Sequence, residues 1–169
     1  FGLPIFAAAM DGIVDPNFAV LLGKQGGGGV LNLEGIWTRY EYPEEVLERI
    51  VKTEKNKSTG IIQEIYKQPI KEELIAKRVR EIKKNKVITI VSSTPQNAVR
   101  FHSIAQSNGA DIFIVQSTVT TVNFYSKKIK SFNLAGFVKN SKIPIVVGNC
   151  VTFEVAKKLI ETGISGLLV

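Results

Sequence analysis

Apolar and polar stretches alternate along the whole chain, and the apolar ones are of two kinds. Residues 3–9, 29–33, 87–91, 111–115, 143–147 and 165–169 are short blocks in which neighbouring rather than alternate positions are apolar. That pattern predicts strands buried on both faces, as in a parallel sheet covered by helices. Between them, apolar residues recur at helical spacing. Leu74, Ile75, Val79 and Ile82 line one side of a charged segment at 71–85, and Val46, Leu47 and Ile50 follow the acidic opening Pro43-Glu44-Glu45. Asp15 before Pro16 reads as the N-cap of a helix over 17–24. Further helices are predicted over 95–107, closed by Asn108-Gly109, over 131–141, and over 152–162 with Gly163 at its end. Residues 52–58 (KTEKNKS) read as a polar linker and the best insertion point. The apolar segment 60–66, broken by Pro69, has no assigned role.

Six strands, the first five each followed by helix-like sequence, leave two architectures: an open doubly wound sheet or part of a (β/α)8 barrel. The glycine run at 26–29 does not favour the first. It precedes its strand, whereas a dinucleotide-binding turn follows one. A barrel needs about 250 residues and eight strands. The chain opens at Phe1, without Met and almost inside its first strand, and ends on a strand with no loop after it. The expectation is therefore an α/β fold: the N-terminal six strands of a TIM (β/α)8 barrel, truncated before strands seven and eight. Residues 1–169 would form one partial catalytic domain.

With 169 residues and 44% hydrophobic content the chain can bury a sizeable core. No apolar run reaches the roughly 18 residues of a membrane span, and no basic-then-apolar leader opens the chain. The net charge of +7 comes from lysines spread along helices and linkers, the pattern of a solvated face. No aromatic residues interleave with them, so neither a nucleic-acid nor a membrane partner is expected. An anionic small molecule suits the charge. The lone Cys150 excludes an internal disulfide and fits a reducing compartment, the cytoplasm or a plastid stroma.

In a parallel barrel the chemistry sits at the C-terminal strand ends. Here those ends carry Ala8-Ala9-Met10-Asp11, then Asn32, Glu34 and Arg39, then Ser92-Ser93-Thr94, Gln116-Ser117-Thr118, and Gly148-Asn149 with Thr152. Small and polar, they suit a ligand rich in heteroatoms. The stretch 26–41 is the densest: four glycines that force a tight turn, a strand, then a loop holding the only Trp, Trp37, beside Arg39 and Tyr40. A surface loop anchored by a half-buried Trp is the plainer reading. No Ser-His-Asp set can be built, and His102 reads as a helix packing residue. Cys150 reads as a structural thiol, since no basic partner stands near it in sequence.

These strand ends carry a resemblance. Residues 4–15 (PIFAAAMDGIVD) resemble the first barrel strand of the IMP dehydrogenase and GMP reductase family, and 145–152 (IVVGNCVT) resemble its fifth-strand Gly-Asn-x-x-Thr motif. Residues 111–117 stand where the family places its fourth strand. The segment GVLNLEGIWTRYE is most similar to the IMP dehydrogenase-related branch that lacks the regulatory CBS pair, which would be inserted near 52–58. The resemblance implies an NAD- or NADP-dependent oxidoreductase of a purine mononucleotide, assembled as a homotetramer. The dehydrogenases oxidise IMP to XMP with NAD, in guanine nucleotide synthesis; the reductases convert GMP to IMP with NADPH. It implies substrate contacts from Met10, Asp11, Asn149 and Thr152, and cofactor contacts from Ser92, Ser93, Gln116 and Ser117. The nucleophilic cysteine would lie beyond Val169, as would the phosphate loops and any monovalent-cation site, so this stretch alone is expected to be inactive. Two departures stand out: Gln116 where dehydrogenases usually have Asp, and Leu168 where they have Arg. The lysine of the better-known GMP reductases is also missing after the second strand. A non-catalytic purine-nucleotide-binding regulator is the alternative of a different class.

Overall fold

Each buried strand begins where a helix hands the chain back to the sheet, and the computed structural model, which describes residues 2–118, 120, 123–124 and 132–169, shows this alternation throughout. Strand β1 (Phe6–Ala7) leads through a turn to α1 (Pro16–Lys24), and β2 (Gly28–Asn32) to a 3-10 turn at Ile36–Thr38. Three helices follow: α2 (Pro43–Val51), α3 (Lys55–Lys67) and α4 (Glu72–Lys83). Then come β3 (Ile90–Ser93), α5 (Ala98–Ser107) and β4 (Ile112–Gln116). The two-residue strands β5 (Asn123–Phe124) and β6 (Phe132–Asn133) pair antiparallel. Finally α6 (Leu134–Asn140), β7 (Ile145–Gly148), α7 (Phe153–Glu161) and β8 (Gly166–Leu167) complete the described chain.

The sheet order is β1-β2-β3-β4-β7-β8, every pair parallel. Each strand thus lies beside the previous one, and the order never reverses as a doubly wound sheet requires. The sheet also curls, because residues of both outer strands, Phe6 and Leu167 among them, line one cavity. This is the arc of a barrel. Its concave side is the small apolar cluster Val30, Ile90 and Ile114, with Val146 and Leu168 against it. The alternate residues Leu31, Val91, Phe113, Val115, Ile145 and Val147 point outward into the main core beneath the helices.

The outer strands are shorter than the apolar pattern predicts: 3–9 shrinks to Phe6–Ala7, and 165–169 to Gly166–Leu167. Each has a ladder neighbour on one side only, and Leu3, Ile5 and Val169 lie exposed. The glycine run also divides differently. Only Gly26 takes a positive φ, +89°, at the turn. Gly28 and Gly29 are already in β2, where a Cβ on Gly29 would stand 2.6 Å from the Cα of Ala19 in α1. The run therefore serves helix–strand approach as much as the turn.

Residues 52–58 are not a linker throughout. Lys55–Ser58 form the first turn of α3, so the polar connection narrows to 52–54, and the unassigned segment 60–66 is the rest of that helix. Solvated lysines are good helix formers, and Ile65 alone of this helix is buried, so little apolar periodicity marks it. Helix α5 starts at Ala98 rather than 95, after a turn in which Asn97 donates to the Thr94 carbonyl. Helix α6 starts at Leu134, capped by the Asn133 side chain; Ser131 of the predicted helix lies outside the described residues.

His102 packs as expected. It is 7% exposed, edge-on to Phe113 and Phe137 at ring-centroid distances of 5.2 and 4.9 Å, with Nε2 2.8 Å from Ser141 Oγ. Burial holds its pKa below the ordinary 6.5, so the folded protein keeps a neutral ring while the unfolded chain takes up a proton below that pH. The unfolded state then binds more protons, so this contribution is full above about pH 6.5 and is lost as the pH falls further. The urea midpoint should therefore drop between pH 6.5 and 5, and His102→Gln should flatten that slope. Equal slopes in the two proteins would sink the assignment.

Candidate functional site

The loops at the C-terminal ends of β1, β2 and β3 are held together by two carboxylates, and this determines where the site opens. Asp11, after β1, reaches across to the loop after β2. Its Oδ2 accepts from the Ile36 N–H at 2.8 Å and from the Tyr66 hydroxyl, and its backbone oxygen accepts from Trp37 Nε1 at 3.3 Å. Ile36 opens a 3-10 turn, so a carboxylate at that N–H also meets the positive end of the turn. Glu34, in the β2 loop, reaches the next one along. It accepts from Thr94 N–H at 2.6 Å and from Asn97 Nδ2 at 3.0 Å. Three consecutive strand ends are thereby fixed to one another.

The aromatic and cationic residues of the β2 loop face away from the cavity and anchor the loop from behind. Trp37 is 5% exposed, with the Arg78 guanidinium 5.7 Å over its ring and Arg78 Nε donating to the Trp37 carbonyl at 3.1 Å. Arg78 also donates to the Glu41 carbonyl and pairs with Glu81. Arg39 donates to the carbonyls of Glu34 and Gln68, and the Tyr40 hydroxyl to that of Ile65 at 3.1 Å. The plainer reading of this loop, an anchored one, describes Trp37, Arg39 and Tyr40, but Trp37 is buried and not half-buried, because Ile36 and Thr38 beside it are enclosed as well. Its contribution to the mouth is Asn32, which shares the inward side of β2 with Val30.

The cavity within the arc measures about 580 Å³ and includes Gln116, Asn149 and Leu168 among apolar walls from β1, β4 and β7. Among the described residues, no charged side chain lines it. Gln116 and Gly148 are register partners, and the Asn149 N–H donates to the Ser117 carbonyl at 3.1 Å. The Ser117 hydroxyl lies 2.9 Å from that of Thr120, which bonds to the Gly148 carbonyl. A Cβ on Gly148 would stand 2.4 Å from Leu168 Cβ, so a glycine is what lets β8 pass here.

Of the predicted site residues, the structure brings Gln116 and Asn149 to the cavity, with Ser117 beside them. Ser92 shares the inward side of β3 with Ile90, while Ser93 alternates onto the helix side and is 3% exposed. Met10 is 55% exposed and is not among the residues lining the cavity. Asp11 serves the loops as described. Thr152 caps α7 by accepting from Val155 N–H. Cys150 is buried, its thiol 3.3 Å from the Thr152 carbonyl, as a structural thiol should be. The organising part of Tyr66 and Glu34 went unread in the sequence. A buried 3-10 turn directly after a strand needs an acceptor for its first N–H, and that need was the available signal.

Among the described residues, no group of three or more His, Cys, Asp or Glu could hold a metal ion, and no helix is long and apolar enough to cross a membrane. The model of the IMP dehydrogenase / GMP reductase domain family matches residues 1–169. An uncharacterized oxidoreductase of Mycolicibacterium smegmatis is 29% identical over 174 residues, covering all of this chain and 46% of that protein. One of Mycobacterium leprae is 30% identical over the same length and share. The crystal structure of an IMP dehydrogenase/GMP reductase-like protein from Corynebacterium glutamicum superposes with a TM-score of 0.91 at 27% identity, covering 99% of this chain and 45% of that one. The chain thus spans about half the length of the relatives it matches.

Proposed function

We propose, since the chain belongs to the IMP dehydrogenase/GMP reductase domain family, that it supplies the first strands of an NAD-dependent oxidoreductase converting IMP to XMP. The family match along the entire chain carries this reading. In the reaction IMP, water and NAD give XMP, NADH and a proton, and the bound nicotinamide would supply the hydride acceptor. Gln116 and Asn149 offer amide donors and acceptors among apolar walls, which suits the polar edge of a heterocyclic base. Gln116 and Ser117 would hold the cofactor side and Asn149 the purine side. The phosphates would be bound by parts of the site beyond this chain, and so would the nucleophilic cysteine.

A second reading, the NADPH-dependent reduction of GMP to IMP with release of ammonium, draws support from two residues. Gln116 and Leu168 line the cavity where the dehydrogenases are expected to carry Asp and Arg. An amide and an alkyl group handle charge differently from a carboxylate and a guanidinium. The test uses the full-length protein at the reduced-nicotinamide absorbance. Absorbance rising with IMP and NAD alone establishes the dehydrogenase, and falling with GMP and NADPH alone establishes the reductase. Silence in both, with nucleotide still bound in a filter assay, removes the catalytic reading and leaves a binding protein. A sizing column on the same sample checks the proposed tetramer.

A further inference from the structure

Tyr66 lies near the C-terminal end of α3, and its hydroxyl donates to Asp11 Oδ2. The same carboxylate takes the Ile36 N–H at 2.8 Å through Oδ2 and stands 3.5 Å from Asn32 Nδ2 through Oδ1. The Asn32 Oδ1 in turn accepts from the Glu34 N–H at 2.9 Å. A backbone N–H can only donate, so this contact fixes which end of the Asn32 amide is oxygen. The amide nitrogen has two N–H donors, and Asp11 takes one. Asn32 itself stands two residues after Val30, on the inward side of β2.

We propose that Tyr66 is a positioning residue: through Asp11 it holds the inward-facing amide of Asn32 in the orientation that binds the nucleotide. The ligand named here rests on the purine-nucleotide reading above. Among the described residues, three links tie this end of α3 to the mouth. Besides Tyr66 to Asp11, they are Tyr40 to the Ile65 carbonyl and Arg39 to the Gln68 carbonyl. Only the Tyr66 link reaches a carboxylate that also faces Asn32. The Arg39 guanidinium lies 5.4 Å over the Tyr66 ring and keeps that ring in place. Burial first, then the Asp11 hydrogen bond and charge, push the phenol well above its ordinary pKa, so it remains a donor throughout the working pH range.

Tyr66→Phe removes the hydroxyl and leaves the ring. In the full-length protein, hydrogen exchange at the Glu34 and Ile36 amides should become about tenfold faster, with the rest of the chain unchanged, as loss of a charge-assisted bond implies. An amide that binds ground and transition states alike should show in KM. The KM for the nucleotide should rise about tenfold, with kcat within about twofold. Tyr66→Phe added to Asp11→Asn should change neither quantity further, because both act through one carboxylate. Wild-type exchange and wild-type KM in Tyr66→Phe would overturn the proposal. So would faster exchange spread evenly over the chain, which would make Tyr66 a general stabiliser. If the wild-type protein turns over neither nucleotide, the catalytic reading fails, and the exchange measurement still decides whether Tyr66 holds the loop.

Discussion

Phe113→Ala should destabilise the protein by about 3–5 kcal/mol, as truncation of a fully enclosed aromatic side chain does. Phe113 has no exposed surface and sits centrally in β4, between Val91 of β3 and Ile145 of β7 on the helix-facing side. Its ring meets His102 of α5 at 5.2 Å and Phe137 of α6 at 6.2 Å, so one deletion unpacks a strand from two helices at once. The neighbours cannot close the gap cheaply, because His102 is tied to Ser141. Against a typical total stability of about 5–15 kcal/mol, the loss is a large share. Urea unfolding followed by circular dichroism should show a midpoint well below wild type. A change under 1 kcal/mol would mean that the outer layer is looser than its ring contacts imply.

That layer is where the sequence was most readable. Leu74, Ile75, Val79 and Ile82 were expected on one side of a helix, and all four are buried in α4. Asp15 was expected to cap α1, and its carboxylate accepts from the Phe18 N–H at 2.6 Å. Burial enforces such patterns, since a misplaced polar residue there leaves an unpaired group. The strands at the sheet's edges and helix α3 were less readable for the opposite reason. Leu3 and Ile5 are apolar but have no second strand against them, and the lysines of α3 are helical without needing to be buried. In the site, strand-end polarity pointed to Gln116 and Asn149, and both line the cavity. It could not separate Ser92 from Ser93, because alternation fixes a residue's face only once register is known. Nor could it show that the carboxylates of Asp11 and Glu34 are taken up by the protein's own N–H groups. Those bonds join residues 25 and 60 positions apart, and no local pattern records them.

Gly35→Ala should produce the second large effect, and it isolates the Asp11 latch. A Cβ at residue 35 would stand 1.7 Å from Asp11 Oδ1 and 2.4 Å from its Cγ. The backbone there, at φ −90°, is open to any residue, so the position demands space and not a special conformation. The carboxylate would have to swing out, giving up its bonds from Ile36 N–H and Tyr66, and bonds to charged groups are worth about 1.5–3 kcal/mol each. A loss of about 3 kcal/mol is expected in urea unfolding, with nucleotide affinity falling alongside as the β1 and β2 loops part. Gly12→Ala is the control, since nothing lies within 4 Å of its added carbon, and it should stay within about 0.5 kcal/mol of wild type. If the clash with Asp11 is the cause, Gly35→Ala combined with Asp11→Ala should be no less stable than Asp11→Ala alone. A Gly35→Ala protein as stable as the Gly12→Ala control would mean that the carboxylate can leave at little cost, and that the two loops are held by Trp37 and Arg78 instead.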